Sequence, residues 1–436
     1  MGMREEGYER GYRAGEAAKG TIADQMKNYG PGQEFWFTAA RGMDFAAEIE
    51  KWDRKRLDSG PSLIKYPEIK GLRERHLGER EGFMAGADCT YREAAFHYSS
   101  RDFRQRVLNV HYIGPPSGPL PPPPPIINPM PDQQCTNVFI PNGVEGITTG
   151  NNRDDTVWTY QMPKFRPPKG VCREMNYHLS WGSVSSAVRC DEPSDEIFPV
   201  DVFEILPDEC TYDIKNIVKF FDRYVQFWGP ANMIFADREF RAVAAEKTNN
   251  RVGWRWPDET GAVAITACSY LDPEIYEFKR SRLRKQMELL GETEETSWEW
   301  NYDIACHKRY ERLIKLTREE AKRGATLWGV FNIVADPDGK PPERITVAGE
   351  RTMPDYPEKE QWGPHVIANW TIVQHASVVT GPNRRTLWRH WENWKPVDHK
   401  PPYLVLGEGV EMKPEWKTDL DDGRCRLWSD SQDPVC

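Results

Sequence analysis

A serine nucleophile on a strand-to-helix elbow needs a glycine two residues to either side, because the turn leaves no room for a Cβ there. The nearest match, Trp181-Gly182-Ser183-Val184-Ser185, lacks the second glycine and reads as a hairpin turn. A cysteine–histidine pair needs its two side chains to face one another. Cys306 and His307 are adjacent in the chain, and neighbours on a helix diverge. They read as a core cysteine beside a surface histidine. Neither glycine pattern that cradles phosphate, Gly-x-x-x-x-Gly-Lys-Ser/Thr or Gly-x-Gly-x-x-Gly, occurs. Gly407-Glu408-Gly409 follows a strand-like stretch but has no third glycine, so it reads as a turn.

Metal chemistry needs converging ligands. His365 and His375 are separated by an even number of residues on a predicted strand, with His390 on the strand expected to pair with it and His399 beyond. Ten extended residues span roughly 33 Å, too far for two ligands of one ion. The set is discarded. Asp191, Glu192, Asp195 and Glu196 lie between and around Pro193 and Pro199 and read as a solvated acidic loop. Asp419-Leu420-Asp421-Asp422-Gly423 lacks the alternating ligands and terminal glutamate of a calcium loop, so it too reads as a turn. No catalytic residue, metal ligand or cofactor site is assigned from these patterns.

Basic and aromatic residues interleave at Arg384-Arg385-Thr386-Leu387-Trp388-Arg389-His390-Trp391. On a strand, Arg385, Leu387, Arg389 and Trp391 share one face and Trp388 lies on the other. Such a run suits base stacking or a cation–π protein contact. The formal net charge of -9 disfavours nucleic acid. Arg385, Trp388 and Trp391 are therefore taken as protein-contact candidates.

The most specific spacing is elsewhere. Gly7, Gly11 and Gly15 form one ladder, and Gly78, Gly82 and Gly86 form a second. Glycines four apart lie along one helix face, and each costs on the order of 1 kcal/mol relative to alanine inside a helix. Such ladders are tolerable when another backbone packs closely against each groove. In membranes that spacing marks close helix contacts, but Glu9, Arg10, Arg13, Glu79 and Arg80 intervene here. The contact must be made in water, either between the two ladder helices or between each and a partner.

These residues need elements to carry them. Residues 1–113 read as a helical docking region, with a further helix over 35–57. The proline run of 114–134 reads as a stiff polyproline spacer, laid along a surface by Ile126, Ile127 and Met130. Residues 135–402 read as an α+β domain with a mainly antiparallel sheet. Strands are expected over 156–162, 174–181, 184–190 and 200–205, and helices over 212–228, from Asp272-Pro273 to Gly291, and from a capping box at Thr296-x-x-Glu299 to about Gly324. One hairpin is expected to join 326–335 to 344–347 through Asp336-Pro337-Asp338-Gly339. A second joins 366–379 to 384–391 through Gly381-Pro382-Asn383. Residues 403–436 read as an extended tail.

The chain carries 17 Trp, 17 Tyr and 17 Phe, side chains that are enriched in protein interfaces. Trp362, Trp394, Trp416 and Trp428 fall in loop-like sequence, as anchors would. No run of apolar residues is long enough to span a bilayer, and the N-terminus resembles neither a secretory signal nor a transit peptide. Nine scattered cysteines without a paired spacing suggest mostly free thiols in a reducing compartment, cytoplasmic or organellar, with mitochondria included. For Cys135, Cys172, Cys190 and Cys210, free, bridged and metal-bound states all stay open. The expectation is an accessory or scaffolding subunit of a large intracellular assembly, such as a respiratory or ribosomal one, with other protein subunits as partners. The alternatives are an enzyme whose active site in 135–402 forms no linear motif, and a viral structural protein.

Overall fold

The computed structural model describes residues 2–22, 26, 44–58, 66, 67, 70–103, 136–155, 213–224, 231–237, 239–248, 250–266, 270–336, 370–390, 401–407 and 409–428. The helical region contributes α1 (Met3–Ala18), α2 (Phe45–Leu57), α3 (Lys70–Ala87) and α4 (Tyr91–Phe103). Asp44 caps α2 by accepting from Ala47 N at 3.1 Å, and Arg54, Lys55 and Arg56 complement the dipole at its other end. Thr90 and Glu93 bond reciprocally at the start of α4, a capping box.

The rest is a layered α+β arrangement. Its elements in order are β1 (Thr136–Ile140), β2 (Thr148–Asp155), α5 (Ile214–Arg223), β3 (Ala231–Ala236), β4 (Ala242–Lys247), β5 (Val252–Arg255) and β6 (Val263–Thr266). Then come α6 (Pro273–Leu290), α7 (Trp298–Lys322), α8 (Leu327–Val334), β7 (Trp370–Val378), β8 (Arg385–His390), β9 (Tyr403–Leu406), α9 (Pro414–Asp421) and β10 (Arg426–Leu427). Seven strands form one sheet in the order β10-β9-β8-β7-β2-β1-β6, and three form a second in the order β3-β4-β5. Every pairing is antiparallel except that of β10 with β9.

Strand alternation explains the layering. Val138, Ile140, Ala264, Ala376, Leu387 and Leu404 point to one side of the large sheet and pack under α7, α8 and α9. Phe139, Ile147, Val263 and Ile265 point to the other side, where they meet Ile234, Ala236, Ala242 and Ala244 of the small sheet. The far face of the small sheet presents Met233, Phe235, Val243 and Ala245 to Ile214, Ile217 and Phe221 of α5. The order is helix, sheet, sheet, helices. Leu72 of α3 joins that last core, and Tyr66 Oη donates to Arg223 O at 3.3 Å, which fastens the helical region to the domain.

Several expectations meet the structure directly. Asp272 caps α6 and Gly291 ends it with φ +68°. The hairpin through Gly381, Pro382 and Asn383 joins β7 to β8. The helix expected at 212–228 is α5, shorter at both ends. Ser297, not Thr296, caps α7.

Two expectations are corrected. Residues 326–335 form α8 and not a hairpin strand, because Leu327, Val330, Phe331 and Val334 recur at helical spacing and all face the sheet. The run is apolar almost throughout, which hides that period. Thr326 caps it by accepting from Gly329 N at 3.0 Å. Residues 403–428 are not an extended tail, since β9 and β10 complete the large sheet and α9 buries Trp416 against it. The proline run, the strands expected between 156 and 205, residues 35–43 and 344–347 lie outside the described residues.

Candidate functional site

The glycine ladders face each other. Gly7, Gly11 and Gly15 of α1 abut the backbone of Arg75, Glu79 and Phe83, while Gly78, Gly82 and Gly86 of α3 abut that of Arg4, Tyr8 and Tyr12. A Cβ added at Gly82 would sit 2.7 Å from Tyr12 N, and one at Gly15 would sit 2.8 Å from Ala87 N, closer than real Cβ atoms come to anything. Both ladders are therefore consumed within the chain. Backbone meets backbone along the length of α1, a geometry that lets Cα–H groups approach carbonyl oxygens. Ion pairs flank the seam, with Arg4 on Glu81 at 2.5 Å, Arg10 on Glu79 at 3.4 Å and Arg75 on Glu6 at 3.7 Å.

This packing turns α1 inside out. Its buried residues are Gly7, Gly11, Gly15 and Ala18, whereas Met3, Tyr8 and Tyr12 are exposed. Tyr8 and Tyr12 stack with ring centroids 6.3 Å apart on the solvent side. An ordinary amphipathic helix places its aromatic residues the other way round.

Behind α3 lies a buried charge pair that sequence reasoning missed. Arg80 donates to both carboxylate oxygens of Asp53 at 3.0 and 3.3 Å, Tyr91 Oη donates to Asp53 at 2.7 Å, and Ser99 Oγ also donates to it. Burial pushes the Asp53 carboxyl up, but the Arg80 guanidinium and these donors outweigh it and hold the group down at about 2. Arg80 also stacks over Tyr98 at 4.2 Å. The partners are contributed by α2, α3 and α4, so no local pattern announces them.

The interface candidates on β8 are turned inward. Arg385 is buried, pairs with Glu145 and lies over the Trp416 ring at 4.3 Å. Trp388 is buried on the opposite face and meets Trp428 edge-on, with centroids 5.2 Å apart. Neither is a surface anchor, because β9, β10 and α9 pack around β8 and occupy both side chains within the chain. Trp391, Trp362 and Trp394 lie outside the described residues. Among the described residues, the exposed indole is instead Trp256, which retains 56% of its accessible surface.

Two further buried charge clusters are paired. Glu246 holds Arg255 and accepts from Asp272 N at 2.7 Å, while Arg255 reaches Tyr310 Oη at 2.7 Å. Lys279 and Arg280 share Asp303, and Arg280 stacks on Trp300. Such pairs satisfy buried charge, and nothing in their geometry presents a reactive atom. Burial lowers the neighbouring His307. Cys306 is a core residue, as expected, and is disulfide-bonded, while Cys89 and Cys425 are free. Asp419 accepts from Trp328 Nε1 at 2.8 Å and from Arg424 at 2.6 Å. Asp419, Leu420 and Asp421 are the last residues of α9 and not part of the expected turn, and only Asp422 and Gly423 form the turn that follows.

One polar row crosses the helix-covered face of the large sheet. In register it runs Thr266, Thr136, Asn152, Gln374 and Arg389, over β6, β1, β2, β7 and β8. The first four are buried. Arg389 donates to Gln374 Oε1 at 3.2 Å. Strand pairing alone assembles this row, so it has no motif in the chain.

Among the described residues, no group of His, Cys, Asp and Glu could hold a metal ion, and no helix is long and apolar enough to cross a membrane. No protein-family model matches the chain, and no curated protein is significantly similar to it.

Proposed function

We propose that the protein is a scaffolding subunit of a larger assembly, acting through contacts with other proteins. The observation that carries this reading is the inverted helix α1, with glycines inward and Met3, Tyr8 and Tyr12 outward. Burying backbone against backbone gives α1 a fixed position while sparing its aromatic side chains. Stacked tyrosines on a rigid helix lose little conformational entropy on contact, and tyrosine is enriched in interface cores. The exposed Trp256 offers a second anchor of the same kind. The buried ion pairs serve the fold, which favours a contact protein over a catalyst.

A photo-crosslinking amino acid at position 12, in the full chain in its native cells, tests the reading. Discrete adducts with one or a few proteins are expected, and they should disappear when Tyr8 is also replaced by serine. Recovery of the uncrosslinked monomer alone would sink it.

A further inference from the structure

We propose that Thr136 and Thr266, at the end of the polar row covered by α7, form with Arg309 a binding site for a small oxyanion, a phosphate or carboxylate group. This inference is independent of the assembly reading.

Arg309 is 9% exposed, and its Nε and Nη1 find no hydrogen-bond partner among the described residues. The hydroxyls of Thr136 and Thr266, also buried, find none there either. These groups belong to one place. Helix α7 runs antiparallel along β6, since Arg318 pairs with Asp258 ahead of the strand, and Tyr310 bonds Arg255, which bonds Ala264 O within it. It also runs antiparallel to α8, since Arg312 pairs with Asp336 at the far end of that helix. Leu313 packs with Val138 and Ala264. Arg309 lies one turn before Leu313. It therefore sits over the end of the sheet where Thr266 and Thr136 stand side by side in register.

The chemistry selects an anion. The described residues give Arg309 no carboxylate, whereas Arg80, Arg255, Arg280, Arg312 and Arg385 each have one. A buried guanidinium without a counter-charge is costly, and a planar fork of donors matches the oxygens of a carboxylate or phosphate. Two threonine hydroxyls, on adjacent strands in register, supply further donors. Asp336 is already claimed by Arg312, so it does not neutralise the site.

The test is titration of the full chain with inorganic phosphate, and separately with acetate, against sodium chloride of matched ionic strength. Unfolding temperature and calorimetric heat are the readouts. Saturable stabilisation by phosphate or by acetate, absent with chloride, is expected, and the stronger of the two identifies the group. Arg309→Met should weaken that binding at least tenfold. Thr136→Val, which keeps the shape and removes one hydroxyl, should weaken it several-fold and serves as the readout if Arg309→Met does not fold. No saturable response to either anion would overturn the proposal. So would equal binding by both variants, which would mark the anion as bound elsewhere.

Discussion

The two halves of this molecule are held together by opposite means. Helices α1 and α3 touch through glycines, backbone on backbone, and almost no side chain lies between them. The layered domain does the reverse, with Val138, Val330, Val334 and Ala376 interdigitating between sheet and helix. A side-chain core tolerates small adjustments because side chains can shift. A backbone seam has nothing to shift. The glycine pair therefore trades tolerance for position, and ion pairs and one buried charge cluster complete its adhesion. The comparison predicts that substitutions in the two halves will fail differently.

The largest effect is expected behind the seam. Asp53→Ala leaves Arg80 buried without its partner and should cost about 3–5 kcal/mol in denaturant unfolding. Acid tests the same contact. Because Asp53 titrates at about 2 in the fold, below its ordinary 3.8, its stabilisation is complete above about pH 4 and is lost as pH falls toward 2. Stability of an Asp53→Asn variant should consequently vary less with pH across that window.

Next comes the seam itself. Gly82→Leu drives a side chain into the backbone of Tyr8 and Tyr12 and should cost about 3 kcal/mol, with α1 becoming sensitive to protease. Unchanged unfolding and unchanged proteolysis would break the comparison. The layered half offers its counterpart at Gly150, where a Cβ would meet Val330 Cγ1 at 2.8 Å and Val334 Cγ1 at 2.9 Å. Those are valine methyls, so Gly150→Ala should cost only about 1–2 kcal/mol by the same measurement.

The smallest effect sharpens the contrast within α3. Gly71 has only the Met3 side chain near it, 3.5 Å from an added Cβ, and it lies off the ladder. Gly71→Ala should be neutral or stabilising by about 0.5 kcal/mol, from reduced freedom of the unfolded chain. Destabilisation there comparable to that of Gly82→Leu would mean that the helix, and not the ladder, is the sensitive element.

Much of the local architecture was legible. The ends of α6 follow from Asp272-Pro273 and Gly291, and the β7–β8 hairpin from Gly381-Pro382-Asn383, because caps and turns are encoded within a few residues. The ladders, too, are periodic over a single helix each. Helix α8 was misread because Leu327 to Val334 is apolar enough to satisfy either period. Burial of Arg385 and Trp388 could not be read from β8, since α9 and β10, which cover it, come later in the chain and belong to a stretch taken for a tail.

From its own order of residues, the chain determined where helices begin and end and which faces carry glycine, since those are short-range properties of backbone and spacing. Tertiary structure alone decided what each face meets: ladder against ladder, tyrosines outward, Asp53 against Arg80, and a polar row assembled from five strands. Those are contacts between distant segments, and only the packing of one layer on the next brings them within reach.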